Sequence, residues 1–289
     1  MSEFTKRTLF GALYVAAVVG CILWGKLAFG ILVFFISIMA TREYLMLVGA
    51  PKKLVYTSMN ATGNMVIATM CYTMLSHRIF MVMGMIYFIS VGLVLLDELW
   101  HKGENPIQNW GNMLTSQSMI ALPFCTMLLL NNLDKWLMLA VFVLIWINDS
   151  GAYCVGSLTA KRPGGNHKMF PRVSPNKSWE GLFGGLVFTW IGAIILMQFG
   201  WFDKLIVTDY ALANGTKYVI VLFFALLASE FGTLGDLMES LMKRTVGVKD
   251  SGKFLPGHGG VLDRFDSMLL ATPVMLLFSL LCYALSHLW

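Results

Sequence analysis

Three aspartates near the end of the sequence stand at the edges of long apolar runs: Asp236, Asp263 and Asp266. Asp236 directly follows an almost uncharged stretch, and a carboxylate at that depth is costly enough to mark an ion or substrate site. Asp263 and Asp266 lie three residues apart, so a helix starting near Val261 puts both on one face at its end. Clustered carboxylates repel one another unless cations neutralise them. Oxygen-only ligands beside glycines and lysines favour magnesium. Such a set suits metal-assisted phosphoryl or nucleotidyl transfer, in which the cation bridges phosphate oxygens and offsets charge on the leaving group.

The residues around these acids carry complementary charge. On a helix, Asp236, Glu239, Ser240, Lys243 and Arg244 share one face, with Leu234, Leu237, Met238, Leu241 and Met242 opposite. That face is either a solvated interfacial stripe or part of a site. The following loop contains Gly247-Val-Lys-Asp-Ser-Gly252-Lys253, which fits most of the phosphate-loop pattern GxxxxGK[ST]. Phe254 replaces the required hydroxyl, no strand precedes the run, and Pro256 interrupts any following helix, which excludes a P-loop NTPase. The composition still suits phosphate, because Gly259 and Gly260 bare backbone amides and the lysines add charge. His258, between glycines, is either a turn residue or a catalytic group. Arg264, between two acids, is either an internal counter-ion or a phosphate clamp.

A second polar segment spans 149–180. Asp149 follows an apolar run and is expected to cap a short helix over 151–160. The stretch KRPGGNHKMFPRVSPNKSWEG sets five basic residues against Glu180 alone, a counter-charge for a triphosphate or an anionic lipid headgroup. Ser174 or Asn176 is placed to cap the helix that opens at Trp179-Glu180-Gly181.

Membrane helices must hold these residues. The chain has 289 residues, 57% of them hydrophobic and only 13% charged, which excludes an ordinary soluble domain. Apolar runs approaching the roughly 20 residues of a bilayer span recur along nearly its whole length. Hydropathy predicts nine spans, at 8–24, 27–41, 54–75, 79–96, 114–131, 134–148, 181–200, 217–235 and 267–288. The third is interrupted by Asn60, Thr62, Gly63 and Asn64, and is expected to face other helices. The expected fold is an all-α polytopic membrane protein, with about six spans in 1–148 and three spans plus the two polar segments in 149–289. The basic start could pass for a signal peptide, but so many later spans favour an uncleaved first helix. A cytoplasmic N-terminus puts 16 of the 21 Lys and Arg residues inside. Both polar segments then emerge on the cytoplasmic face, where the active site is expected at the membrane interface. The five cysteines are scattered without a CxxC pair, so no disulfide framework or zinc site is expected.

The run from Ser240 through Lys243-Arg244 and Lys249-Asp-Ser-Gly-Lys-Phe-Leu-Pro-Gly-His-Gly-Gly-Val-Leu-Asp-Arg-Phe-Asp266 resembles the signature of the phosphatidate cytidylyltransferases, or CDP-diacylglycerol synthases. GDLMES and PRVSPNKSWEG resemble two further blocks of that family, with Asn176 standing where the family often carries lysine. The motifs cover about the last 140 residues, and the first 148 agree only in hydropathy and size. The resemblance implies that CMP passes from CTP to phosphatidic acid, with magnesium as cofactor; a second metal or a monovalent cation is left open. It implies Asp236 and Asp263 as metal ligands with Asp266 beside them, and places Lys249 and Asp250 among the catalytic residues. Ser174, Lys177, Ser240, Lys243, Arg244, Lys253, His258, Gly259, Gly260 and Arg264 would contact substrate. The implied setting is a bilayer, expected to be a bacterial inner (plasma) membrane, without nucleic acid; a homodimer is compatible with it. One rival is a CTP-dependent polyprenol or phytol kinase, which would release CDP. Another is an ion-coupled transporter, disfavoured because the polar groups gather at one face rather than at the midplane between repeats.

Overall fold

The computed structural model describes residues 3–100, 105–206, 214–252 and 259–286. Helices α1 (Glu3–Trp24) and α2 (Lys26–Leu47) are joined by Gly25 alone, at a φ of 143° that side chains disfavour. α3 (Lys52–Met74) and α4 (His77–Asp97) follow. Pro106 opens a continuous helix made of α5 (Pro106–Ser116), a π-helical turn (Gln117–Ala121) and α6 (Leu122–Leu133). Asp134 caps α7 (Lys135–Ala160) by accepting from Trp136 N at 3.1 Å. An antiparallel hairpin of β1 (Lys168–Phe170) and β2 (Ser174–Ser178) comes next, turned by Pro171-Arg172-Val173. α8 (Trp179–Gln198), α9 (Asp203–Ile206), α10 (Asn214–Thr245) and α11 (Leu262–Ser286) complete the described elements.

Seven helices among the described residues are long and apolar enough to cross a membrane. The protein is an all-α polytopic membrane protein, with one small hairpin outside its helices. Each of the nine expected segments falls on a helix. The two outside the seven are α1, whose apolar stretch is Thr8–Trp24, and α3, which carries Ser58, Asn60, Thr62 and Asn64.

The chain groups into two compact units. The first comprises Met1–Asn132 with Thr245–Phe265, and the second Leu133–Arg244 with Asp266–Trp289. In the first unit, α3 turns Ser58, Thr62 and Gly63 inward, as its sequence predicts, but leaves Asn64 half-buried and Asn60 exposed. Thr62 Oγ1 lies 3.1 Å from Thr41 Oγ1 and accepts from Gln117 Nε2 at 3.1 Å, while Ser58 and Thr62 are fully buried. Pairing Thr41, Thr62 and Gln117 Nε2 across helices meets part of the demand that a bilayer places on polar atoms, while Ser58 Oγ and Gln117 Oε1 are buried without a hydrogen-bond partner among the described residues. α4 is the opposite case: apolar all round and only 6% buried along its span, it presents its surface to lipid.

In the second unit, the structure corrects one expectation. Asp149 does not cap a new helix, because α7 runs unbroken to Ala160 and places Asp149 in its middle. No residue from 148 to 160 breaks the helix, and the small ones in this stretch seat it closely against α8. A Cβ on Gly151 would lie 2.8 Å from Phe188 Cβ, and one on Gly185 would lie 2.6 Å from Asn148 Oδ1. Gly151→Val is expected to lower thermal stability in detergent by about 1–3 kcal/mol, the usual cost of overpacking. An unchanged melting temperature would contradict this close seam. A second correction concerns α8, whose cap is Ser178, accepting from Gly181 N at 3.2 Å; Ser174 and Asn176 lie in β2.

Candidate active site

α10 carries the polar face that the sequence places between 236 and 244, and its burial decides what that face is for. Glu239, Ser240 and Lys243 are 0%, 9% and 8% exposed, whereas Leu234 and Leu241 are each 43% exposed. From Asp236 to Lys243 the stripe is therefore turned into the protein, while Arg244 at its end is exposed. Lys243 pairs with Glu239 one turn away, and Ser240 Oγ donates to Asp236 Oδ1 at 3.2 Å.

Gly235 brings α10 up to α11 within this unit. A Cβ at that position would lie 2.6 Å from the Asp266 carbonyl oxygen and 3.0 Å from that of Ser267, so only glycine lets the two backbones meet. The approach sets Asp266 within electrostatic reach of Asp236, Asp149 and Lys243. Asp149 is likewise within reach of Asp236 and Lys177. Three carboxylates from α7, α10 and α11 thus gather with two lysines. Lys177 comes from β2, where its Nζ makes a 2.7 Å ion pair with Asp236 Oδ2 and donates to Thr233 O at 3.2 Å. The hairpin that aims Lys177 is held at its base. Trp179 N donates to His167 O at 2.9 Å, and the Glu180 carboxylate accepts from His167 N. A cavity of about 230 Å³ opens beside these groups, lined by Asn148, Asp149, Tyr153, Lys177 and Asp236 among others. Asn148 is fixed there by Ser229 Oγ, which donates to its Oδ1 at 2.6 Å.

The first unit holds the carboxylates of Asp263 and Glu43. Asp263, in the first turn of α11, accepts through Oδ2 from Gly260 N at 2.7 Å, Ser251 N at 2.9 Å and Ser251 Oγ at 3.0 Å. Glu43 of α2 accepts from Val261 N and Leu262 N, each at 2.9 Å. Phe265 anchors this end of α11, packed edge-on against Tyr14 and tilted against Phe124, with ring centroids 5.5 Å away in each case.

Residues 5–282 match the profile of the Cytidylyltransferase family. The chain is 33% identical over 282 residues to a phosphatidate cytidylyltransferase of Bacillus subtilis, covering 95% of this chain and 97% of that one. Shorter matches include the phosphatidate cytidylyltransferases of Staphylococcus saprophyticus, 42% identical over 47% of this chain and 46% of the relative, and of Haemophilus influenzae, 44% identical over 48% and 43%. The chain belongs to the cytidylyltransferase family.

In this cytidylyltransferase the residues singled out from sequence fall into distinct places. Asp236, Asp266, Lys177, Ser240 and Lys243 come together in the second unit, joined by Asp149, which sequence reasoning took for a helix cap. An acid closing an apolar run was the signal that could have flagged Asp149. Ser174 serves the hairpin ladder opposite Phe170, and Arg244 Nε donates to Val173 O at 3.4 Å, tying that hairpin to α10. In the first unit, Lys249 and Asp250 are exposed on the loop, and Gly259 (φ 81°) and Gly260 abut the carboxylates of Asp263 and Glu43. The amides of Gly260, Val261 and Leu262 already serve carboxylates, so they are not bare for phosphate. Arg264 Nε is buried and has no hydrogen-bond partner among the described residues. Lys253 and His258 lie outside the described residues.

Proposed function

We propose that this cytidylyltransferase transfers CMP from CTP to phosphatidic acid, giving CDP-diacylglycerol and pyrophosphate. The substrates follow the name carried by the Bacillus subtilis relative, aligned over 97% of its length. The observation that carries the reading in this chain is the meeting of three membrane-helix acids, Asp149 and the half-buried Asp236 and Asp266, with Lys243 of α10 and Lys177 of the β-hairpin. Such groups are costly in a membrane protein unless they serve a site.

A phosphatidate oxygen attacks the α-phosphorus of CTP in line, and a new P–O bond forms as the bond to the β-phosphate oxygen breaks. Pyrophosphate leaves with that electron pair, and no covalent enzyme intermediate is needed. Lys177 and Lys243 supply positive charge for phosphate oxygens. Arg264 suits the role of phosphate clamp better than that of internal counter-ion, since its Nε meets no acid.

Among the described residues no three His, Cys, Asp or Glu side chains stand ready-grouped around a metal, and Asp236 is paired with Lys177. The donor chemistry nevertheless fits magnesium: every carboxylate in the cluster offers oxygen, and the three acids repel one another. Asp236 and Asp266 would hold the ion within the second unit, whereas the family resemblance names Asp236 and Asp263 as ligands with Asp266 beside them. Held by these residues, the ion would supply positive charge to offset that of the phosphates and the leaving pyrophosphate. The excess of Lys and Arg in 149–180 and 236–266 supports placing the site on the cytoplasmic face, and the bacterial relatives support an inner membrane.

Purified protein in detergent, given CTP, phosphatidic acid and magnesium, is expected to release pyrophosphate and to form a lipid carrying CMP. Release of CDP instead would establish a kinase, and no turnover in native-like lipid would overturn the enzyme reading.

A further inference from the structure

Glu43 lies within α2, is only 8% exposed, and takes no part in the chemistry above. An acid buried on a membrane-spanning helix needs a reason. Its partners supply one. Oε1 accepts from Val261 N, and Oε2 accepts from Leu262 N at 2.9 Å and from Ser251 Oγ at 3.2 Å. One carboxylate therefore straddles two consecutive amides at the start of α11, where the helix dipole favours negative charge.

Asp263 takes the neighbouring amides of Ser251 and Gly260, and Ser251 Oγ bridges the two acids. Four backbone amides and one hydroxyl are thus shared between Glu43 and Asp263. The glycines record the same arrangement. A Cβ on Gly252 would lie 2.7 Å from Glu43 Oε1, and one on Gly260 would overlap Glu43 Oε2. The glycines that look in sequence like openings for phosphate here make room for Glu43.

We infer that Glu43 is a positioning residue for the transfer reaction: from α2 it fixes residues 249–252 and 259–263, and through them the placement of Lys249 and Asp263. This rests on the cytidylyltransferase reading above. Glu43 touches neither substrate nor reacting atoms in this role. It sets the conformation of the segment that does.

Glu43→Gln in the full-length protein keeps the volume but offers one acceptor oxygen where two amides need one each. The expected result is a fall in kcat of about 100-fold, the scale of a misplaced reacting group, with the KM for CTP changed less than about threefold. The melting temperature should fall modestly, because three bonds to a buried charged acceptor are weakened, so kcat is compared per folded molecule. Hydrogen exchange at the Val261 and Leu262 amides should quicken by at least about tenfold. Gly252→Ala should damage the parent enzyme, yet add much less loss to Glu43→Ala, because its two closest contacts are gone and only Gly260 Cα at 3.3 Å is left.

An unchanged kcat in Glu43→Gln would overturn the inference. So would a lowered melting temperature with kcat per folded molecule intact, or strictly additive losses in the Gly252–Glu43 pair. If the parent protein itself forms no CMP-lipid, the functional reading fails instead. The exchange rates would then still decide whether Glu43 holds the segment.

Discussion

Asp266→Asn is expected to cut turnover by about a thousandfold, on the scale of losing a group that stabilises developing charge, while leaving the protein as stable as before or more so. Asp266 is one of three mutually repelling carboxylates, near Asp236 and Asp149. Asparagine removes one charge from that crowd and keeps an oxygen for Ser267 N, which donates to Asp266 Oδ1 at 2.6 Å. Functional groups held against their own repulsion commonly trade stability for activity. Asp236→Asn should lose activity to a similar degree but should lower the melting temperature, because Lys177 would be left beside a neutral amide. The contrast between the two is the test. Near-normal turnover in Asp266→Asn would remove it from the site, and an equal drop in melting temperature for both would contradict the electrostatic picture.

Asp263→Asn is expected to lose activity as severely, for two separable reasons. Oδ2 of Asp263 receives three hydrogen bonds from Ser251 and Gly260. Bonds to a charged acceptor contribute about 1.5–3 kcal/mol each, so the neutral amide should also loosen this segment. If Asp263 is in addition a magnesium ligand, the concentration of magnesium giving half-maximal rate should rise at least about tenfold in the variant. A collapse in kcat at an unchanged magnesium requirement would restrict Asp263 to ordering the loop. Near-normal activity would sink both roles.

Much of this organisation can be read along the chain because its cause is local. Hydropathy locates the spans, since each helix must satisfy its own backbone and shed water along its own length. The inward face of α10 follows from the 3.6-residue period that aligns Asp236, Glu239, Ser240 and Lys243. What escapes is long-range. Glu43 is one acid in an apolar helix beside Arg42, and its three partners lie 208, 218 and 219 residues away. No spacing rule connects them. Asp149 was misassigned because Asn-Asp-Ser-Gly looks locally like a helix start, while tertiary packing on α8 keeps α7 going. Glycines mislead in a related way: the sequence shows that backbone is exposed there, but not which group approaches it.

The length of α10 carries a mechanical consequence. Its 32 residues rise about 48 Å, well beyond the roughly 30 Å of a bilayer's hydrocarbon interior. Asp236 and Lys243 ride on a single stiff rod whose vertical position is set by how its apolar part settles in the lipid. A thicker or thinner bilayer would shift or tilt that rod and so change the height, relative to the lipid headgroups, of the carboxylates proposed to serve the transfer. The helix makes catalysis answerable to the dimensions of the solvent that dissolves both enzyme and acceptor.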